Sequence, residues 1–476
     1  MAPTRSALDR ARSALHLRLL TAQRRLTTER RGAVIVIGGN DRLGASELAN
    51  QLTEWFDSRT VRICAPDDRC PTLAGRPFLW PYWQQVPAQG QITIVVSDWL
   101  TRTAIAAAEG KLGNGQLRAR LKALRQFEEM LAADGTTVAK VWLDASEKLL
   151  RKRSREAEDT ETEGWVVDPT DLTLAKPKAY ALTRALRVQG AGKNLGWKVL
   201  TAGEPKHRDL HAGLAIADQL MQASRRKPAA KAKKPGSRPR GLLESAAAHP
   251  TLEKKEYSSQ VAKLQARLGR LSRLATRRGI ATVVVLEGPD AAGKGGAIRR
   301  LCGKLDAAHY HVHPTSAPSP EEKSRHYLWR FWTKTPEPGH VAIFDRSWYG
   351  RVVVERVEGF APEQAWARAY AELNDFEARL AEAGAVVLKL WINLSKEEQL
   401  RRFHAREESP HKRHKMTPED YRNRKKWDDN LRAAEDMIAR TDTPHAPWIV
   451  VSGDDKRHAR VAVLKAVCRA LADRVD

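Results

Sequence analysis

The sequence predicts an α/β protein built twice, each copy a three-layer α/β/α sandwich around a parallel sheet. Three observations carry this. Apolar runs such as VIVIGG (34–39) and VVVLEG (283–288) are rich in Val and Ile and lack the period-two alternation of half-exposed strands, so both of their faces are covered. Segments of helical pattern separate these runs, as in parallel strands joined by crossovers. Finally, adding 249 to a position in the first half gives its counterpart in the second. Gly39, Asp41 and Gly44 thus meet Gly288, Asp290 and Gly293, and RPFLWPYWQQVPAQG (76–90) meets RHYLWRFWTKTPEPG (325–339). Phe127, Gly135, Lys140 and Trp142 meet Phe376, Gly384, Lys389 and Trp391 in the same register, which makes a duplication.

The elements follow in the same order in each copy. A basic amphipathic helix (about 5–30; 252–277) precedes a buried-type strand (33–38; 281–287). A glycine-bounded loop and a helix come next (46–56; 294–305). Later strands are ITIVVS and HVAIFD, then TTVAKVWLD and AVVLKLWIN, then GWKVLTA and PWIVVSG, with helices between. The alternating run HYHVH (309–313) reads as an edge strand, and no partner cluster makes it a metal site. Between the copies, ASRRKPAAKAKKPGSRPRG (223–241) holds eight cationic residues and no acidic one, a composition that cannot bury a core. The expected organisation is a first domain over 1–222, a basic linker over 223–245 and a second domain over 246–476, with a lid at about 400–430.

Composition narrows the function. A hydrophobic content of 42% suits a globular protein, and no apolar run reaches the roughly 18 residues needed to span a bilayer, so no membrane partner is expected. The basic N-terminus, MAPTRSALDRARSALHLRLL, lacks an apolar signal core and reads as a helix of the folded protein. Cys64, Cys70, Cys302 and Cys468 show neither zinc spacing nor disulfide density, which points to a reducing cytoplasm. The net charge of +25 concentrates polyanions, and the linker accounts for only eight of those units.

The chemistry is written in the second copy. GPDAAGKG (288–295) matches G-x-x-x-x-G-K, with a strand before it and a helix after it, so backbone N–H groups cradle phosphate and Lys294 adds a charge. Gly288, Gly293, Gly295 and Gly296 allow the backbone to approach the phosphates. Gly295 replaces the hydroxyl residue that ordinarily helps to hold Mg²⁺, so the ion needs other oxygens: Asp290 in the loop and Asp345 at the end of HVAIFD. Strands of a doubly wound parallel sheet deliver their C-terminal ends to one edge, which lets both carboxylates converge. Arg346 and Arg351 follow in RSWYGR; their forked guanidinium groups suit phosphate oxygens, while Trp348 and Tyr349 read as packing. LRRFHAREESPHKRHKMTPEDYRNRKKW (400–427), with ten Lys and Arg against four acids, sits where P-loop kinases carry a cationic lid.

EGPDAAGKGG, FDRSWYGR and the segment RF-x-x-R…P-x-K-x-x-K-M-T-P together resemble the polyphosphate kinase 2 family over nearly all of 250–476. The resemblance implies phosphoryl transfer between inorganic polyphosphate and nucleotides, with Mg²⁺ (Mn²⁺ as the alternative ion), on a P-loop α/β domain topped by a helical lid. By motif position it implies that Asp290 and Asp345 bind metal and position the acceptor. Lys294, Arg346 and Arg351 neutralise the transferring phosphates, and Arg406, Lys412 and Lys415 of the lid reach the polyanion; Glu355 is a lesser nomination. Pro289 and His414 depart from the family pattern. The tandem arrangement resembles the subgroup that converts AMP to ADP; single-domain relatives more often phosphorylate ADP or GDP. Rival readings are an ATP-dependent P-loop kinase of a small molecule and a polyanion- or RNA-binding protein that is not an enzyme. The ordered Lys294, Asp345 and Arg346 set disfavours nucleic acid as the substrate.

The first copy reads as the same fold without its chemistry. Ala45 stands for Lys294, Ser46 for Gly295, Val96 for Asp345 and Ser97 for Arg346, while Asp41 and Arg102 survive opposite Asp290 and Arg351. It is expected to be a pseudo-domain that packs on the active half as a second subunit would, a pseudo-dimer within one chain.

Overall fold

The computed structural model describes residues 5–39, 44–66, 70–96, 98–146, 148–149, 152, 177–189, 196–201, 203–223, 243, 251–411 and 418–475. Asp41, Ser97, Lys412, His414, Lys415 and nearly all of the expected linker lie outside the described residues. The chain divides into two compact units. The first comprises Met1–Cys70, Pro81–Ala230 and Ser319–Trp329; the second comprises Pro71–Trp80, Lys231–Pro318 and Arg330–Asp476. Each unit therefore includes a short segment from the other half of the chain.

In the first unit the strands are β1 (Ala33–Gly39), β2 (Val61–Cys64), β3 (Ile92–Val95), β4 (Thr137–Asp144) and β5 (Lys198–Thr201). They form one parallel sheet in the order β2-β3-β1-β4-β5. The helices are α1 (Arg5–Thr28), α2 (Ala45–Trp55), α3 (Trp99–Ala108), α4 (Asn114–Ala133), α5 (Pro177–Gln189) and α6 (Pro205–Ala223). On one face α1, α2 and α6 bury Leu15, Leu19, Leu48 and Ile216 against Ile35, Ile94 and Val141. The other face lies under α3, α4 and α5.

The second unit repeats this plan. Its strands are β6 (Thr282–Glu287), β7 (Tyr310–Pro314), β8 (Val341–Asp345), β9 (Val386–Asn393) and β10 (Trp448–Ser452). All are parallel, in the order β10-β9-β6-β8-β7, which places HYHVH at an edge as expected. Every residue of β6 is buried, which explains the apolar run VVVL (283–286). The helices are α7 (Lys254–Arg277), α8 (Lys294–Cys302), α9 (Glu363–Glu382), α10 (Lys396–Glu407), α11 (Pro418–Lys425), α12 (Trp427–Thr441) and α13 (Lys456–Val475). One face buries Val284, Leu286, Ile343 and Leu390 under α7, α8 and α13. The other carries α9 and α12, and there the buried residues are partly polar: Lys389 of β9 pairs with Glu377 of α9 at 2.8 Å, both sealed from solvent.

With β6 central and all strands parallel, the C-terminal ends of β6 and β8 lie side by side; Leu286 is the register partner of Asp345. This is where a doubly wound sheet places a ligand site.

Candidate active site

The loop after β6 is held open by backbone that only glycine tolerates. Gly288 has φ +141°, and a Cβ there would lie 2.4 Å from the Ile392 carbonyl oxygen. Gly293, at φ +109°, turns the chain into α8, whose first residue is Lys294. Lys294 is buried, and its Nζ donates back over the loop to the carbonyls of Gly288 (2.8 Å) and Pro289 (3.2 Å). Burial, then the Arg346 charge, pushes its ammonium down to about 8, against the pull of Asp290, Asp345 and Glu287. Gly295 and Gly296 begin α8, and the Arg460 guanidinium lies 3.2 Å from where a Cβ on Gly296 would be.

Asp290 is the hub. One carboxylate oxygen accepts from the Arg346 guanidinium, the other from Asn423 Nδ2 of α11 at 2.9 Å. Burial alone would raise this carboxyl, but the charges of Arg346 and Lys294 and these two hydrogen bonds hold it below the ordinary range. Asp345 ends β8, and its charge acts on both Lys294 and Arg346. Arg346 itself has φ +61°, uncommon for a residue with a side chain, and its N–H donates to Leu286 O at 3.1 Å.

Arg351 is paired with Glu355 at 2.9 Å, which brings these two nominated residues together. Trp348 and Tyr349 are buried, as expected, but they also donate to Glu377 Oε1, at 3.0 and 2.5 Å. Arg406 lies in the last turn of α10, one turn beyond Arg402.

Sequence reasoning missed four residues that tie this site together. Gln399 donates to Asp290 O at 3.0 Å. Arg402, almost fully buried, donates to Ala291 O (2.9 Å), Ala292 O (3.1 Å), Gly453 O (2.6 Å) and Asp454 O (3.0 Å). Asn423 reaches Asp290 from the second lid helix. Glu287, the last residue of β6, is buried and accepts from Ser347 Oγ at 2.8 Å. Burial raises the Glu287 carboxyl, against the Arg346 charge and the Ser347 hydrogen bond. A backbone-bracing arginine such as Arg402 is indistinguishable in sequence from a surface one.

The residues fit a magnesium ion by their donor chemistry. Asp290 and Asp345 offer hard oxygens at one sheet edge, and Mg²⁺ is ordinarily held by one or two carboxylates together with substrate phosphates. Among the described residues no group of three or more His, Cys, Asp or Glu side chains is placed to hold a metal.

The described residues of the first copy do not repeat this assembly. A Cβ on Gly44, the counterpart of Gly293, would lie 1.7 Å from Arg208 Nη1. That arginine is buried and paired with Asp209 at 2.8 Å and Glu47 at 2.9 Å. In contrast, the buried pair of α9 and β9 recurs: Lys140 meets Glu128 at 2.7 Å, and Trp99 Nε1 donates to Glu128 at 3.0 Å.

Fold and loop together define a phosphate-handling α/β protein of the P-loop class, built in two copies. The family model for polyphosphate kinase 2 matches the chain twice, over residues 4–228 and 251–475. The chain belongs to the polyphosphate kinase 2 family. It is 38% identical over 466 residues to a protein of Pseudomonas aeruginosa named polyphosphate:AMP phosphotransferase, covering 95% of this chain and 93% of that one. A protein of the same name from Acinetobacter johnsonii is 38% identical, covering 97% and 96%. A crystal structure described as polyphosphate kinase 2 from Pseudomonas aeruginosa PA01 superimposes with a TM-score of 0.86 at 36% identity, covering 99% of this chain and 97% of that one. Among the described residues no helix is long and apolar enough to cross a membrane.

Proposed function

We propose that this protein moves a phosphoryl group from inorganic polyphosphate to AMP, giving ADP, at the site of the second unit. The observation that carries this reading is the convergence of Lys294, Asp290, Asp345 and Arg346 on one glycine-bounded loop in only one of two copies. The choice of AMP follows the tandem relatives, which bear that acceptor in their names over nearly their full length. Part-length relatives differ: a Rhizobium meliloti protein, 40% identical over 43% of this chain, is named an ADP-polyphosphate phosphotransferase.

In this mechanism the loop N–H groups and Lys294 receive a phosphate of the donor, and Arg346 and Arg351 spread their charge over the oxygens of the transferring group. Glu355 orients Arg351. Asp290 and Asp345 would hold Mg²⁺, which when bound would draw charge from the phosphoryl oxygens and ease the approach of one anion to another. Gln399, Arg402 and Asn423 hold the lid helices on the loop, excluding water from the transferring group. Arg406 of α10 binds the polyanion, as do Lys412 and Lys415 by their place in the lid motif. The first unit serves as a non-catalytic copy of the second.

The test is a steady-state assay with polyphosphate as donor and AMP, ADP or GDP as acceptor, in Mg²⁺ and without ATP. ADP formation from AMP, with at least tenfold lower turnover of ADP and GDP, is expected. Faster ATP formation from ADP would move the protein to diphosphate phosphorylation. Transfer only from ATP, or none at all with polyphosphate bound, would leave the small-molecule kinase or the binding protein.

A further inference from the structure

Among the described residues only Arg30, Ala291 and Arg346 have a side chain and a positive φ, and two of these three line the candidate site. Strained backbone of this kind persists only where its surroundings over-determine it. At Arg346 three contacts do so. Its N–H is tied to Leu286 O, its guanidinium to Asp290, and the next residue, Ser347, is fixed by its hydroxyl. Ser347 Oγ donates to Glu287 Oε1 at 2.8 Å and accepts from Tyr349 N–H at 3.4 Å, and both Ser347 and Glu287 are buried. Glu287 thus sits on one strand and grips the turn leaving its neighbour.

The duplication provides a control within the molecule. Glu287 corresponds to Gly38, and Ser347 to Asp98. A Cβ on Gly38 would lie 2.6 Å from the Trp142 ring and 2.8 Å from that of Trp197, so aromatic carbon fills the place of the carboxylate. Asp98 turns instead to its own helix, accepting from Leu100 N (2.8 Å) and Thr101 N (3.1 Å) as an ordinary N-cap. Yet β1 remains a complete, buried strand, and the Glu–Lys pair between helix and sheet is kept in both copies. The fold therefore stands without a carboxylate at this position. Glu287 departs together with Lys294, Asp345 and Arg346, whereas the structural pair stays.

We infer that Glu287 is a positioning residue: through the Ser347 hydroxyl it holds the left-handed turn at Arg346, which keeps that guanidinium on Asp290 and in line with the transferring phosphoryl group. The inference rests on the phosphotransfer reading above. A guanidinium displaced by about an ångström loses most of its value to a transition state, and a factor of about 30 in turnover is a reasonable scale for that loss.

Full-length Glu287→Ala, Ser347→Ala, their double variant and Glu287→Gln are assayed with polyphosphate and AMP beside the wild type. Each alanine variant should lower kcat about 30-fold with KM for AMP within about threefold and an unchanged melting midpoint. The double variant should be no slower than the slower single one, because both remove one contact. Glu287→Gln, whose amide oxygen still accepts the Ser347 hydroxyl, should recover to within about fivefold of wild type. Additive losses, a glutamine variant as slow as alanine, or alanine variants within about threefold of wild type would overturn the inference. If Glu287→Ala does not fold, Ser347→Ala and Glu287→Gln decide alone. An inert wild type would instead sink the phosphotransfer reading, which keeps the two failures apart.

Discussion

The residues that act on phosphate and those that hold them divide cleanly at this site. Lys294 is the only lysine of the loop, and its buried ammonium already leans on two carbonyls, so a phosphate oxygen exchanges one set of acceptors for a stronger one. Removing it takes from the loop its own positive charge. Lys294→Ala and Asp345→Asn are each expected to lower kcat by about two orders of magnitude or more, the scale of losing one electrostatic stabiliser of a transition state. Near-normal turnover in both would dissolve the site. Most of this site was legible in the sequence: the loop lysine and the two aspartates stand in motifs whose chemistry fixes their residue types. What was not legible was the bracing. Nothing in the local sequence distinguishes Arg402, with four backbone acceptors, from Arg401 beside it, which faces solvent and pairs with Glu398. Glu287 was hidden for a different reason: it continues an apolar run, where a carboxylate reads as the end of a strand.

At the scale of the element, the repeat shows which buried charges are scaffold. Glu377 on α9 and Lys389 on β9 are sealed together, and Glu128 on α4 and Lys140 on β4 repeat them in the first unit, where Ala45 and Val96 stand opposite Lys294 and Asp345. Removing one member leaves the other charged and buried, which typically costs about 3–5 kcal/mol. Glu128→Ala and Glu377→Ala should therefore each destabilise their own unit by about this amount in denaturant unfolding, and only Glu377→Ala, which also frees Trp348 and Tyr349, should slow turnover directly. Equal loss of turnover in both would deny this division. Edge strand β7 gives a pH dependence. Burial, then the Lys334 and His311 charges, pushes His313 down to about 4, while the unfolded imidazole titrates near 6.5. Between those values the unfolded chain binds more protons, so the stability this residue permits is complete above about 6.5 and is lost as pH falls toward 4. The melting midpoint of the wild type relative to His313→Asn should fall across that window. A constant difference from pH 7 to 4 would show that His313 does not titrate as its surroundings require. The parallel sheets and the duplication were readable from composition and register, because a parallel sheet buried on both faces leaves little choice of residue.

For the whole molecule, the excess of 25 positive charges has a consequence that no single side chain carries. Polyphosphate bears about one charge per phosphate, so a long donor meets many lysines and arginines at once, and its binding releases the counterions both partners had gathered. AMP carries few charges and is placed by local contacts. The KM for polyphosphate should therefore rise about tenfold or more between 50 and 200 mM salt, whereas that for AMP should change far less, as measured in parallel titrations. Lys294→Ala refines this expectation. If the polyanion is held along an extended cationic track, deleting one lysine should reduce the slope of log affinity against log salt by only about one unit, although turnover falls by two orders of magnitude. Binding and catalysis then separate: many charges gather the donor, and one loop acts on it. A slope that collapses in Lys294→Ala would mean that the loop alone binds the donor, and the +25 field would have no part in its capture.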